Sequence, residues 1–240
     1  MPQLSVHLLP ALFAEDEVAD DLVVIVDILR ASTTITHAIA NGAEKVVPLG
    51  SIDDAFALRD QHNDVILGGE RGGIRVEGFD YGNSPTDYSA AHVGGRTVGF
   101  TTTNGTKALL RSQRAAEIVI GCFANLSVLV EHLQAQSRPV HVVCAGTDGR
   151  VTGEDVLFAG AVVSRLGEVT DGNDEARLAA DHWRCAVPDQ TSAQIETLLR
   201  QSQGGRNLIR LGYESDIALA AQVDTVPVLS VVRDGCLWRA

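Results

Sequence analysis

The sequence predicts an α/β fold in which helices cover both faces of a largely parallel or mixed sheet. Short runs of β-branched residues alternate along the chain with amphipathic segments rich in Ala and Leu. This alternation is typical of a sheet layered between helices. Several of the apolar runs also end in polar clusters, which is where an open α/β sheet presents side chains to a ligand.

The strands are predicted from the β-branched runs and the helices from the amphipathic segments. In chain order, we place strands near Leu22–Ile28, Lys45–Leu49, Val65–Leu67, Thr97–Thr101, Ile118–Ile120, Val140–Cys144 and Val226–Val232. We place helices at Thr33–Ala40, Asp53–Gln61, Gly105–Gln113, Leu126–Gln134, Glu154–Leu166, Asp174–Arg184, Ser192–Arg200 and Glu214–Gln222. The first helix should end at Asn41-Gly42, because both residues tolerate the left-handed conformation of a C-terminal cap.

Length and composition indicate an ordinary globular protein. A chain of 240 residues with 45% hydrophobic and 21% charged residues can bury a substantial core. We predict a single domain over residues 1–240, as one body or as two closely packed lobes. No apolar run approaches the about 20 residues that span a bilayer, and the N-terminus lacks the pattern of a signal peptide. We therefore expect a soluble cytoplasmic protein with no membrane partner.

The net charge indicates which ligands the protein can bind, and the cysteine spacing indicates whether zinc sites or disulfides are expected. The net charge of −12 argues against nucleic acid, which requires a basic surface. A small anion remains an expected partner if local arginines, backbone amides or a cation offset the repulsion. The four cysteines contain no CxxC pair, which argues against a zinc site or a disulfide framework. Homo-oligomer formation stays open.

The stretch from Gly68 to Gly95 interrupts the alternation. It is rich in glycine and carries charges of both signs. A loop of this length is costly to order and uncommon in a compact domain unless it is functional. We predict that it closes part of a pocket and that Arg71 reaches the ligand. After about Gly167 we expect scaffold or interface helices, a closing strand and a turn.

Four polar clusters fall at predicted strand ends. They are Asp27 with Arg30, Ser32 and Thr33; Glu70 with Arg71; the turn Thr101–Thr106; and Glu154 with Asp155. Each also has a purely structural interpretation, because carboxylates and hydroxyls cap turns and helices, and because adjacent opposite charges pair. No cluster decides between the two interpretations by itself.

Together the clusters favour phosphoryl chemistry. Carboxylates without His or Cys partners suit a hard cation, most naturally Mg²⁺. Hydroxyls and glycines that enter a helix bind anions, and arginines supply forked donors for phosphate, carboxylate or sulfonate. A metal, an anion pocket and arginines are the components of phosphoryl transfer. The chain has neither GxxxxGK[ST] nor GxGxxG, which disfavours nucleotide enzymes of those types.

Five longer motifs carry a family resemblance. The stretches VDILRASTTITHAIANGA, LGGERGG, GFDYGNSP, TTTNGTKAL and CAG…GEDVLFAG occur in this order between about residues 23 and 160. They resemble the 2-phosphosulfolactate phosphatase (ComB) family of coenzyme M biosynthesis. The resemblance implies a three-layer α/β/α fold and a Mg²⁺-dependent phosphatase that converts 2-phosphosulfolactate to 3-sulfolactate and phosphate.

These considerations give a set of expected site residues. The expected catalytic residues are Asp27, Arg30 and Arg71. The expected metal-binding residues are Asp27, Glu70, Glu154 and Asp155, some of them through water. The expected substrate-binding residues are Ser32, Thr33, Thr102, Thr103, Asn104, Gly105 and Thr106. The alternatives are a non-catalytic binder of a small phosphorylated or sulfonated acid, a phosphatase for another small phosphomonoester, and a phosphotransferase.

Overall fold

The computed structural model describes residues 3–62, 64–167 and 172–240. Their strands are β1 (Leu4–His7), β2 (Leu22–Val26), β3 (Lys45–Pro48), β4 (Ile66–Arg71), β5 (Ile74–Arg75), β6 (Thr97–Thr101), β7 (Glu117–Gly121), β8 (Val140–Cys144), β9 (Ser230–Arg233) and β10 (Cys236–Arg239). Their α-helices are α1 (Ala31–Ala40), α2 (Ile52–Gln61), α3 (Ala90–Val93), α4 (Gly105–Arg111), α5 (Leu126–Gln134), α6 (Gly153–Leu166), α7 (Asp174–Ala186), α8 (Ser192–Gln201), α9 (Gln203–Leu211) and α10 (Glu214–Ala220). Within these ranges, no helix has the length and apolar character needed to cross a bilayer.

The strands form one mixed sheet in the order β1-β8-β2-β7-β9-β10-β3-β6-β4-β5. Strands β1, β8, β2 and β7 form one parallel block, and β3, β6 and β4 form a second. The antiparallel hairpin β9–β10 lies between the blocks and pairs with both. The second block therefore runs opposite to the first. The predicted α/β class is confirmed, with a sheet that is mixed.

Sheet twist explains how the two blocks can serve one site. Five strand steps separate β2 from β6. Adjacent strands rotate by about 20–25°, so the twist accumulates to on the order of 100–125° over these steps. Because of this rotation, the strands of the second block no longer point directly opposite to those of the first. The segments that follow β6 and β4 can then approach the segment that follows β2.

Strand β2 is buried on both of its faces. Leu22, Val24 and Val26 pack into one core, which also contains side chains of α5, α6 and α7. Val23 and Ile25 pack into a second core with side chains of α1. Burial on both faces accounts for an uninterrupted apolar run in place of an alternating one.

The predicted elements differ from the structure at several places along the chain. Strands β1, β5 and β10 and helices α3 and α9 were not predicted. The predicted strand Val226–Val232 was placed too early, because the observed β9 begins at Ser230. In α9, Gly204 and Gly205 occupy the first turn and weaken the helical pattern. Part of the predicted loop at residues 68–95 is regular structure, since β4 continues to Arg71 and is followed by β5 and α3.

A buried histidine pair joins β1 to β8. His7 Nε2 lies 3.0 Å from His141 Nδ1, and His141 Nε2 lies 3.1 Å from Asp21 Oδ2. The ring of His7 also packs against Phe13. Burial, followed by the neighbouring His141, lowers the pKa of His7 to about 4. His7 is therefore neutral in the folded protein at pH 7.

The low pKa of His7 makes stability sensitive to acid. The unfolded chain takes up this proton near pH 6.5 and the folded protein only near pH 4, so stability falls as the pH drops through this window. We expect the loss to be about 3 kcal/mol for this group. Urea unfolding at pH 7, 5 and 4 measures the effect. Between pH 7 and pH 4, the free energy of unfolding should fall less in His7→Gln than in the wild type. The exposed His62→Gln is the control, and equal acid sensitivity of all three proteins would contradict the assignment.

Candidate active site

Polar segments that follow β2, β4, β6 and β8 meet α9 around one cavity of about 430 Å³. The cavity lining includes Asp27, Arg30, Glu70, Thr103, Asn104 and Asp148. It thus lies at the carboxyl ends of strands from both parallel blocks. An open α/β sheet binds its ligands at such ends.

Asp27 is a buried carboxylate at the end of β2. Its Oδ1 accepts a hydrogen bond of 3.1 Å from the backbone N–H of Ala31. Burial is the main reason that the pKa of Asp27 is raised to about 7, and the nearby carboxylates of Glu70 and Glu154 raise it further. A cation in the cavity would offset this repulsion.

Glu70 links the β4–β5 hairpin to the turn after β6. Its Oε2 accepts a hydrogen bond of 2.7 Å from the N–H of Gly73, and its Oε1 accepts one of 2.9 Å from the N–H of Thr103. Each oxygen keeps a free lone pair, because a carboxylate oxygen can accept two bonds. Glu70 therefore fixes the cavity wall and can still bind a ligand.

Asp155 and Glu154 lie side by side at the start of α6 but play different structural parts. Asp155 accepts hydrogen bonds from the N–H groups of Ile28 and Gly146, at 2.9 and 3.0 Å, and so ties the turns after β2 and β8 together. Burial, with Glu154 and then Asp27, raises the pKa of Asp155 well above its ordinary value. Glu154 is also buried, and its Oε2 has no hydrogen-bond partner among the described residues. Neither side chain is part of the cavity lining.

Arg30 is held rigidly in the cavity wall. Its Nη1 donates to Asp216 Oδ2 at 2.8 Å, and its Nη2 donates to the carbonyl of Gly73 at 2.9 Å. The guanidinium also lies 4.5 Å from the centre of the Tyr213 ring. Asp216 in turn accepts a hydrogen bond of 2.7 Å from Ser84 Oγ. Arg30 can therefore present its remaining N–H groups in one orientation.

Three of the expected site residues use their polar groups elsewhere. Arg71 donates to the carbonyl of Glu70 and to Thr101 Oγ1, and it is not a lining residue. Ser32 Oγ accepts a hydrogen bond from the N–H of Asp27, and Thr33 Oγ1 donates to the carbonyl of Ile28. Both hydroxyls are buried in the turn from β2 into α1. The structure does not bring these three side chains to the cavity, and their expected roles stay predictions.

The turn Thr101–Thr106 divides between two pockets. Thr103 and Asn104 line the large cavity, and the buried Thr103 Oγ1 has no hydrogen-bond partner among the described residues. Thr102, Gly105 and Thr106 line a smaller apolar pocket beside it, together with Asp27. The expected anion-binding turn thus reaches the cavity through its middle residues.

Gly105 allows α4 to approach α1 closely. A Cβ at this position would lie 3.1 Å from Asp27 Oδ2 and 3.1 Å from the Cβ of Ala31. We expect Gly105→Val to lower kcat/KM at least about tenfold, because a small displacement of catalytic groups is costly. The free energy of unfolding should fall by about 1–3 kcal/mol through overpacking.

Steady-state turnover and urea unfolding measure the two effects of Gly105→Val. Gly50→Val is the control, since a Cβ at position 50 meets only Asp54 Oδ2, at 3.6 Å. Wild-type kcat and KM in Gly105→Val would show that close approach at this turn does not matter.

Sequence reasoning did not name the residues that complete the cavity from a distance, although one of them lies in the segment 68–95 that was predicted to close part of a pocket. Asn83 lines it from the segment before α3, and Arg206, Asn207 and Arg210 line it from α9. The available signal for α9 was Ser202, whose Oγ accepts a hydrogen bond of 3.0 Å from the N–H of Gly205 as an N-terminal cap. No local signal connects Asn83 to Asp27.

The donors at the site fit a hard cation that is bound by few protein ligands. Within the described ranges, no group of three or more His, Cys, Asp or Glu residues is arranged to hold a metal ion. However, Glu154 Oε2 is buried without a hydrogen-bond partner among the described residues, and the neighbouring carboxylate of Glu154 raises the pKa of Asp27. Mg²⁺ takes one or two carboxylates and keeps several waters, so this donor set suits it.

Comparison with known proteins agrees with the motifs. Residues 7–235 match the family model described as 2-phosphosulpholactate phosphatase. A protein of Thermotoga petrophila named probable 2-phosphosulfolactate phosphatase is 40% identical over 209 residues, covering 86% of this chain and 88% of its own. A protein of Deinococcus radiodurans with the same name is 38% identical over 237 residues, covering 97% and 94%. One of Caldanaerobacter subterraneus subsp. tengcongensis, again so named, is 33% identical over 215 residues, covering 89% and 88%. The chain therefore belongs to the 2-phosphosulfolactate phosphatase family.

Proposed function

We propose that this protein is a Mg²⁺-dependent phosphatase that hydrolyses 2-phosphosulfolactate to 3-sulfolactate and inorganic phosphate. The observation that carries the proposal is the meeting of Asp27, Glu70 and the rigidly held Arg30 around one cavity. The names of the relatives support the substrate. A cavity of about 430 Å³ is of the size that holds a small molecule.

The carboxylates form the cation-binding side of the site. Asp27 and Glu70, which both line the cavity, would hold Mg²⁺, and the buried Glu154 adds to the negative field at Asp27. A bound Mg²⁺ supplies positive charge that offsets the charge of the phosphate and polarises its P–O bonds. Without a cation, these buried carboxylates would repel a phosphate. A pure anion binder gains nothing from them, which favours the enzyme over the non-catalytic alternative.

The remaining groups orient the phosphate. Arg30 directs its free N–H groups from a fixed position, so it loses little conformational freedom when it binds an oxyanion. Thr103 Oγ1 has no hydrogen-bond partner among the described residues and can donate to a ligand oxygen. We expect the protein to exclude ATP and phosphoproteins, because its net charge of −12 repels large anions.

Phosphate release from 2-phosphosulfolactate, with and without Mg²⁺, tests the proposal. We expect release with Mg²⁺, its loss in excess EDTA, and its return when Mg²⁺ is added again. Tight binding of the ester without release would identify a binder. A preference for ATP or phosphotyrosine over small acids would overturn the substrate class. Trapping of radioactive phosphate on the protein during turnover would distinguish attack by a carboxylate from attack by water.

A further inference from the structure

Helix α9 places two arginines at the cavity, and neither forms an ion pair with a carboxylate of the described residues. Arg206 and Arg210 are one helical turn apart, and both line the cavity. Across residues 3–62, 64–167 and 172–240, neither has a carboxylate oxygen within 4.0 Å. Arg206 donates to the carbonyl of Gln201, and Arg210 donates to Asn207 Oδ1. Most of their N–H groups are therefore free for a ligand.

Asn83 contributes a second, independent sign of a ligand. The residue is 5% exposed and lines the same cavity. Its Oδ1 has no hydrogen-bond partner among the described residues. A buried amide left unpaired costs about 1–3 kcal/mol, so such a group in a cavity wall is expected to meet a ligand. Rotation of the Asn83 amide places its NH₂ group where Oδ1 now lies, so the side chain can donate a hydrogen bond at this position instead of accepting one.

Contacts with Arg30 join these groups into one wall. A Cβ on Gly73 would lie 3.2 Å from Asn207 Nδ2, so α9 packs directly on the β4–β5 hairpin. The carbonyl of Gly73 accepts from Arg30 Nη2 at 2.9 Å. Ser84, next to Asn83 in the chain, donates to Asp216, the partner of Arg30. The cavity thus has a wall of cations and amides in addition to its carboxylates.

We propose that Asn83, Arg206 and Arg210 form a second anion subsite, which binds an acidic group of the substrate that is not transferred. The group is a sulfonate or a carboxylate, and the subsite selects phosphomonoesters that carry one. This inference rests on the proposed function, which places the phosphate beside the carboxylates. Free arginines can bind a sulfonate or carboxylate with no metal, through forked N–H donors. A site built for such contacts discriminates strongly against an analogue that lacks the group.

Substrate truncation tests the subsite. The substrates are 2-phosphosulfolactate, 2-phospholactate, which lacks the sulfonate, and isopropyl phosphate, which lacks both acids. For Arg206→Gln, Arg210→Gln and Asn83→Ala, kcat/KM should fall about 10- to 100-fold more on 2-phosphosulfolactate than on isopropyl phosphate. A differential loss on 2-phospholactate would identify the carboxylate as the group bound, and its absence there would identify the sulfonate.

The control is Arg177→Gln, which removes the same charge from an exposed position on α7. Equal losses on all three substrates would overturn the subsite, because the arginines would then act only on the phosphate or through the general field. Calorimetric binding of 3-sulfolactate separates this inference from the proposed function, since it needs no turnover. Weaker binding by the three variants would support the subsite even if no phosphate were released. Absence of 3-sulfolactate binding by the wild type would refute it.

Discussion

Asp27→Asn is expected to lower Mg²⁺-dependent turnover at least about 100-fold while the protein folds normally. The amide is nearly isosteric and can still accept the hydrogen bond from the N–H of Ala31. It cannot, however, supply the negative charge that attracts a cation, nor accept a proton. Phosphate release at saturating substrate measures the loss. Full activity in this variant would refute the assignment of Asp27.

The same substitution is expected to stabilise the metal-free protein. The pKa of Asp27 is raised to about 7 from its ordinary 3.8. Ionisation of Asp27 therefore costs stability as the pH rises from about 4, and the full cost is reached above pH 7. At pH 8 in EDTA, Asp27→Asn should gain about 2–4 kcal/mol in urea unfolding. Added Mg²⁺ should stabilise the wild type and not the variant.

Asp60→Asn, at an exposed position in α2, is the control for this gain. It should change the free energy of unfolding by less than about 0.5 kcal/mol at any pH. A loss of stability in Asp27→Asn would show that the Asp27 carboxylate contributes more to the fold than it costs.

Asp216→Asn is expected to destabilise the protein by about 3–5 kcal/mol, because it leaves a buried guanidinium without a counter-charge. The Arg30–Asp216 ion pair is nearly inaccessible, with side chains that are 3% and 1% exposed. Asp216 is remote in sequence yet fixes the orientation of Arg30. We therefore also expect kcat to fall at least about tenfold in the fraction that remains folded. Urea unfolding and phosphate release measure the two effects.

Two control variants distinguish the cost of leaving a buried charge unpaired from the cost of losing an ion pair. The double variant Arg30→Met with Asp216→Leu removes both charges, so it should recover much of the stability and none of the activity. Asp181→Asn breaks the exposed pair with Arg184, where the side chains are 68% and 58% exposed, and should cost less than about 1 kcal/mol. Unchanged stability in Asp216→Asn would mean that water or another group compensates Arg30.

Local patterns in the sequence predicted the α/β class and where the strands that lead into the site end. The apolar run of β2 predicted a buried strand, and a polar residue directly after such a run marks the end of the strand. Asp27, Glu70, Thr103 and Asn104 were placed at strand ends on this ground, and the structure brings them to one cavity. A strand's end depends on its own residues, which is why one sequence sufficed.

The same local patterns could not predict which way the hydroxyl groups of Ser32 and Thr33 point. Ser32 and Thr33 were expected to face the substrate, yet both bond to backbone groups of the turn that they begin. Short hydroxyl side chains compete for nearby backbone groups, and the outcome depends on the backbone angles of the turn. The spacing of residues in the sequence does not predict those backbone angles.

By itself, the sequence determined the alternation of strands and helices, the family motifs and the acidic strand ends. Only the tertiary structure decided that β9–β10 reverses the second block, that α9 completes the cavity and that Asp216 pairs with Arg30. Arg30 and Asp216 are 186 residues apart, and Ser84 and Asp216 are 132 apart. Such contacts are set by how the layers pack and by how far the sheet twists. Helical or strand periodicity reports only neighbours along the chain, so it determines the elements but not which distant residues share a wall.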